Sequence, residues 1–120
     1  MRILVGIDQS DRVAPVLSGA CQRLSDGDSL TVAVVTPTDE ASIDELETAV
    51  TAYVDANELG ATVTSLSGHP GSELVELAER EGFDRLVIDG GRRSPLGKIQ
   101  LAALTEFVLL NATMTVTLIR

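Results

Sequence analysis

The sequence predicts an α/β fold: three α/β/α layers on a five-stranded parallel sheet. Three observations carry this expectation. Strand-like and helix-like segments alternate along the whole chain in the order β-α-β-α-β-α-β-α-β, and such alternation puts helices on both faces of a parallel sheet. The first strand-like run, Arg2–Asp8 (RILVGID), is almost continuously apolar, as suits a strand covered on both sides. The 120 residues, 44% of them apolar with a mean hydropathy of +0.21, suffice for one buried core, so residues 1–120 read as a single domain.

Each element has its own local reason. Asp11–Leu24 is helical by period, with Val13, Val16, Leu17, Ala20, Cys21 and Leu24 in one stripe. Cys21 on that stripe reads as a small buried hydrophobe. Ser25–Asp28 is a turn, and Ser29–Thr36 is a second strand broken by Pro37. Ser42 and Glu45 form a capping box that opens a helix running to Asn57. Ala61–Ser67 is a third strand, polar enough for a sheet edge. Gly68-His69-Pro70-Gly71 is a tight loop before a short helix, Ser72–Glu81, which Gly82 stops. Asp84–Asp89 is a fourth strand, Gly90–Gly97 a loop, and Lys98–Leu110 a helix with Leu101, Ala102, Thr105, Val108 and Leu109 inward. Asn111 is suited to end that helix in the left-handed conformation, and Thr113–Ile119 is the closing strand.

Composition excludes several function classes. Acidic residues number 18 against 9 basic, giving a net charge of −9 and a pI near 4.4. A nucleic-acid partner needs a basic face, and an anionic membrane surface needs the same, so neither is expected. Aromatics are 2% with no Trp, which leaves the core to Val, Leu, Ile and Ala. The single cysteine excludes an internal disulfide and fits a reducing cytoplasm. No apolar run approaches the roughly 18 residues of a membrane helix, and Met1 leads directly into a strand-like run without a signal peptide; the expected location is cytoplasmic. Lys98 is the sole lysine among the 9 cations. Many carboxylates with almost no lysine resembles the proteins of salt-accumulating haloarchaea, because molar salt shortens the Debye length to about 3 Å and carboxylates then repel little.

In an open parallel sheet, ligands bind beyond the carboxyl ends of the strands, where strand order reverses. Two loops qualify: Asp8-Gln9-Ser10-Asp11, and the run from Asp89 to Lys98. The second carries Gly90, Gly91 and Gly97 together with Arg92, Arg93 and Lys98. Cations at a helix start oppose the macrodipole. They point either to an anion held with backbone N–H groups or to pairing with the many carboxylates. The loop is no P-loop, since Ile99 follows Lys98 where Ser or Thr is required. It is no dinucleotide fingerprint, since only Gly6 lies near the first strand. His69 is the only histidine and stands beside no nucleophile motif, which leaves a hydrolase without equipment. The carboxylates show no metal-ligand spacing.

Taken in order, the segments resemble the universal stress protein family. Ile3–Ser10 (ILVGIDQS) is similar to the opening strand that ends in Asp. Gly68-His69-Pro70 followed by Glu73–Ala78 (ELVELA) is similar to the family's Gly-x-Pro turn and amphipathic helix. Leu86–Ile88, Arg93-Ser94, Glu106, Val108 and Leu109, and Thr113–Arg120 resemble its fourth strand, loop, last helix and closing strand. Gly90–Lys98 (GGRRSPLGK) is most like the haloarchaeal branch. The resemblance implies the strand order 3-2-1-4-5, the adenine nucleotide alpha hydrolase-like fold, and a homodimer through the last strand, Thr113–Ile119. That pairing would also cover an exposed edge.

Many members of the family bind ATP through a glycine, two residues, a second glycine, nine residues, then Gly followed by Ser or Thr. On this chain those positions carry Asp89, Arg92, Ala102 and Ala103. All four depart; a frame shifted by one restores only Gly90. Asp8 matches the family's adenine-side Asp, although a strand-end Asp also commonly caps its own loop. The candidate nucleotide-binding residues are Asp8 and Val35, which the resemblance retains, and Gly90, Gly91, Arg92, Arg93 and Ser94 of the charged loop. The expectation is a non-catalytic stress-response module acting through protein contacts, with ATP disfavoured as a ligand and no other cofactor. The alternative is an adenine nucleotide-binding switch of the same fold.

Overall fold

Alternation along the first strand divides the core into two halves. Ile3, Val5 and Ile7 point to one face of the sheet, and Leu4 and Gly6 to the other. The computed structural model describes residues 1–37, 42–90 and 102–120, together with the backbone of 92–93 and 99–100. Its elements are β1 (Arg2–Ile7), α1 (Val13–Cys21), β2 (Ser29–Val34), α2 (Ile43–Ala56), β3 (Thr62–Ser65), α3 (Pro70–Arg80), β4 (Arg85–Asp89), the two-residue strands β5 (Arg92–Arg93) and β6 (Ile99–Gln100), α4 (Ala103–Asn111) and β7 (Thr115–Ile119). The main sheet has five strands in the order β3-β2-β1-β4-β7, every pair parallel. Counting only these five, the order is the expected 3-2-1-4-5.

Helices α1 and α2 cover the face of Ile3, Val5 and Ile7, burying Val16, Leu17, Leu46 and Val50 against β2's Val32 and Val34. Helices α3 and α4 cover the other face, burying Leu74, Ala78, Leu104 and Val108 against Leu4, Leu86 and Ile88. Cys21 packs at the rim of the first cluster, and burial pushes its thiol pKa up. The thiolate is the nucleophile, so iodoacetamide should alkylate Cys21 slowly in the native protein and rapidly in urea; equal rates in the two states would place the thiol outside the packed rim.

Several boundaries differ from the sequence reading, and those of α1, α3 and α4 have a local reason. Helix α1 starts two residues later than expected, because Ser10–Arg12 forms a 3-10 turn first. It also ends at Cys21, where Arg23 and Leu24 bond to carbonyls only three residues back and tighten the last turn. Helix α3 begins at Pro70, since proline suits a first helical position. The run Gly90–Gly97 is not wholly loop, and the last helix does not start at Lys98. Arg92 pairs with Gln100 and Arg93 with Ile99 in an antiparallel ladder, so α4 waits until Ala103. The alternating apolar residues there satisfied both a strand and a helix period. Its inward stripe accordingly uses Leu104, Thr105 and Val108, while Leu109 is 43% exposed. Asn111 is the last residue of α4 and bonds through its side chain to the Phe107 carbonyl. The helix leaves through an extended Ala112, not through a left-handed Asn111.

His69, which in sequence stands beside no nucleophile motif, has a structural role. Its Nδ1 accepts a hydrogen bond from the Ser72 N–H at 3.1 Å, capping α3. Its ring also lies 5.0 Å from that of Phe107. Removing the cap in His69→Ala should lower stability by about 1 kcal/mol, with His69→Asp recovering most of it; urea denaturation reads both. Gly71, in the first turn of α3, lets α4 approach: a Cβ there would lie 2.5 Å from Phe107 Cδ1 and 2.9 Å from Phe107 Cβ. Because Phe107 Cβ moves only with the helix, Gly71→Ala is expected to cost about 1 to 3 kcal/mol as overpacking, read by the same titration.

Candidate functional site

The order of the sheet reverses between β1 and β4. The chain leaves β1 through α1 toward β2 on one side, and returns through α3 to β4 on the other. The crevice beyond these two strand tips is therefore the place where this architecture accepts a ligand. The first loop enters it from β1 as Asp8, Gln9 and the turn Ser10–Arg12; β4 enters it at its last residue, Asp89.

Parity decides where Asp89 points. Within β4, Val87 faces α1 and α2, and Asp89 follows it two residues later on the same side. Arg12, at the start of α1, meets it there. Arg12 Nε donates to Asp89 Oδ2 at 3.2 Å and Nη2 donates to Oδ1 at 3.0 Å, a two-pronged pairing that fixes both groups. The side chains are 20% and 18% exposed, so the pair sits in a partly dry mouth. On the opposite side, the hydroxyl of Thr105 in α4 donates to the Asp89 carbonyl at 2.8 Å, and Thr105 is itself buried. Asp89 is thus held from both layers. Sequence reasoning placed a carboxylate here but missed its partner. Arg12 is 77 residues away, and nothing local marks it.

Gly90 is buried and committed to the sheet. Its N–H donates to the Ile119 carbonyl at 2.6 Å, and an added Cβ would stand 3.0 Å from that oxygen and 2.8 Å from Arg120 Cγ. The glycine lets the tips of β4 and β7 come together. Asp8 is 6% exposed at the end of β1, and Val35 is wholly buried in the α3–α4 half of the core. Val35 therefore offers no surface to a ligand in this structure. Gly91 and Ser94, like Lys98, lie outside the described residues, and only the backbone pairing of Arg92 and Arg93 is described. The geometry thus brings Asp8 and Asp89 to one crevice, adds Arg12 and Thr105, and puts Gly90 to work in packing. Ala102 precedes α4 without any side-chain cap, so that helix start lacks the hydroxyl that a phosphate-binding Ser or Thr would supply. Among the described residues, no group of three or more His, Cys, Asp or Glu could hold a metal ion.

Comparison with known proteins agrees with the architecture. The model of the universal stress protein family matches residues 1–120. The universal stress protein from Archaeoglobus fulgidus superposes with a TM-score of 0.74 at 26% identity, over 100% of this chain and 98% of that one. A universal stress protein family protein from Arabidopsis thaliana with AMP bound gives a TM-score of 0.69 at 13% identity, covering 99% of this chain and 90% of its own. A universal stress protein in complex with cAMP gives 0.65 at 20% identity, covering 100% and 96%. At those last two identities the likeness is one of fold. The search of curated proteins returns no match.

Proposed function

This chain belongs to the universal stress protein family, and from that premise we propose that it is a non-catalytic, cytoplasmic stress-response module that works through protein contacts and binds ATP weakly or not at all. The observation that carries this reading is the Asp89 carboxylate, held by Arg12 at the mouth of the β1–β4 crevice. A triphosphate entering there meets an ion pair whose net charge is near zero, so the crevice does not draw it in, and the Asp89 oxygens stand in its path. Gly90, whose N–H goes to Ile119, cannot donate to the phosphate at the same time. No helix among the described residues is long and apolar enough to cross a membrane. His69, the only histidine, has its Nδ1 engaged in capping a helix.

A thermal-shift series with ATP, ADP and AMP in high salt tests this. A ligand at about 100 times its Kd stabilises by about 2.7 kcal/mol, a shift readily seen. The reading predicts none; a clear shift with ATP would replace it with the second reading, a nucleotide-binding switch. That second reading draws its support from the AMP and cAMP bound to two proteins of like fold.

The module's partner in this proposal includes a second copy of the chain. Among the described residues strand β7 pairs with β4 alone, and an edge strand left open invites another strand. Leu110, 84% exposed in the preceding helix, adds exposed apolar surface to the chain. Sedimentation should show a dimer at micromolar concentration; a monomer there would count against the β7 interface.

A further inference from the structure

We propose that the Asp89 carboxylate is an internal ligand: it occupies an oxyanion site that Arg12 would otherwise offer to a phosphate, and so sets what the crevice refuses. The inference rests on the closed-crevice reading above and names the group that does the closing. Three features support it. The pairing is two-pronged, with Nε and Nη2 of Arg12 on separate carboxylate oxygens, which is the geometry by which a guanidinium also grips a phosphate. The pair lies in the switch-point crevice, between the first turn before α1 and the last residue of β4. Asp89 is further fixed through its carbonyl by Thr105, so the carboxylate is delivered to Arg12 by the backbone and does not arrive by chance from solvent.

A bound anion must compete with a carboxylate tethered at 3.0 Å. Tethering gives Asp89 a high effective concentration at Arg12, while a free phosphate brings the added cost of standing near Asp89 itself. Neutralising Asp89 without changing its shape removes both obstacles and leaves the Thr105 bond to its main chain intact.

The test is Asp89→Asn, with Asp89→Ser as a second variant should the first fold poorly, each checked for native circular dichroism. Binding of inorganic phosphate, AMP and adenosine is measured by calorimetry at low ionic strength, where ionic contacts are least screened. Asp89→Asn should bind AMP at least about tenfold more tightly than the wild-type chain, with adenosine unchanged. Inorganic phosphate gaining as much as AMP would identify a simple oxyanion site; AMP gaining alone would identify a nucleotide site. Both support the internal ligand. Adding Arg12→Ala to the Asp89→Asn chain should abolish the gain. A folded Asp89→Asn chain that binds no phosphate-bearing ligand better than wild type would overturn the inference, as would a gain that survives Arg12→Ala. Micromolar binding of ATP by the wild-type chain is a separate result; it would remove the closed-crevice reading itself.

Discussion

Leu74→Ala is expected to lower the unfolding free energy by about 3 to 4 kcal/mol, within the usual range for a buried leucine. Leu74 is fully buried in the α3–α4 half of the core. It lies directly over Gly6 of β1, so closely that a Cβ built on Gly6 would fall 3.2 Å from Leu74 Cδ1 and closer still to Cδ2. Two consequences follow from that contact. Gly6→Ala alone should destabilise, since the leucine would have to leave its packed rotamer. In the Leu74→Ala background the same Gly6→Ala change enters an emptied space, so its cost should fall or reverse. Urea titrations of the four proteins in this cycle give the coupling, and independent, additive costs would contradict the close approach of α3 to β1.

Arg12→Ala carries the second large effect, a loss of about 2 to 3 kcal/mol. The guanidinium satisfies both oxygens of Asp89, and charged hydrogen bonds of this kind contribute about 1.5 to 3 kcal/mol. The pair is about one-fifth exposed, so the value lies below the roughly 3 to 5 kcal/mol seen on breaking fully buried pairs. What destabilises is the carboxylate left behind without its partner. Arg12→Ala combined with Asp89→Ala should therefore be more stable than Arg12→Ala alone. Equal or greater loss in the double variant would show that the two side chains act independently. Because the site is partly shielded, molar salt should weaken but not erase the coupling.

The central strands were legible in the sequence because a strand covered on both faces announces itself as an apolar run, as ILVGI in β1 and LVI in β4 do; their order in the sheet came from the family resemblance. Helix α2 was legible down to its cap: Ser42 Oγ accepts from the Glu45 N–H at 3.1 Å, as the capping-box spacing predicts. The segment between β4 and α4 was not. Its glycines and arginines suggested a loop, and its apolar residues suited either period, so the short pairing of 92–93 with 99–100 had no distinctive signal.

The candidate site divides in the same way. Asp8 and Asp89 were visible as strand-end carboxylates, because the end of a parallel strand is a fixed place in the chain. Their surroundings were not, because they depend on contacts remote in sequence. Arg12 reaches Asp89 across 77 positions and Thr105 reaches it across 16. Gly90 looked like a ligand glycine from its position alone. Its close approach to Ile119 and Arg120 is a property of the neighbouring strand, which no local pattern reveals. The lone His69 is the converse case: the Gly68-His69-Pro70 turn marked a helix start, yet the cap that holds it is an imidazole nitrogen, a residue type outside the usual capping set.

Calorimetric titration of the wild-type chain with ATP, at low and at molar salt, addresses the closed crevice most directly. With Asp89 held across the gap by Arg12, the injections should give only the heat of dilution at both salt concentrations. A saturable isotherm with a micromolar Kd, at either one, would mean that the crevice between β1 and β4 admits the triphosphate and that the Arg12–Asp89 pair does not guard it.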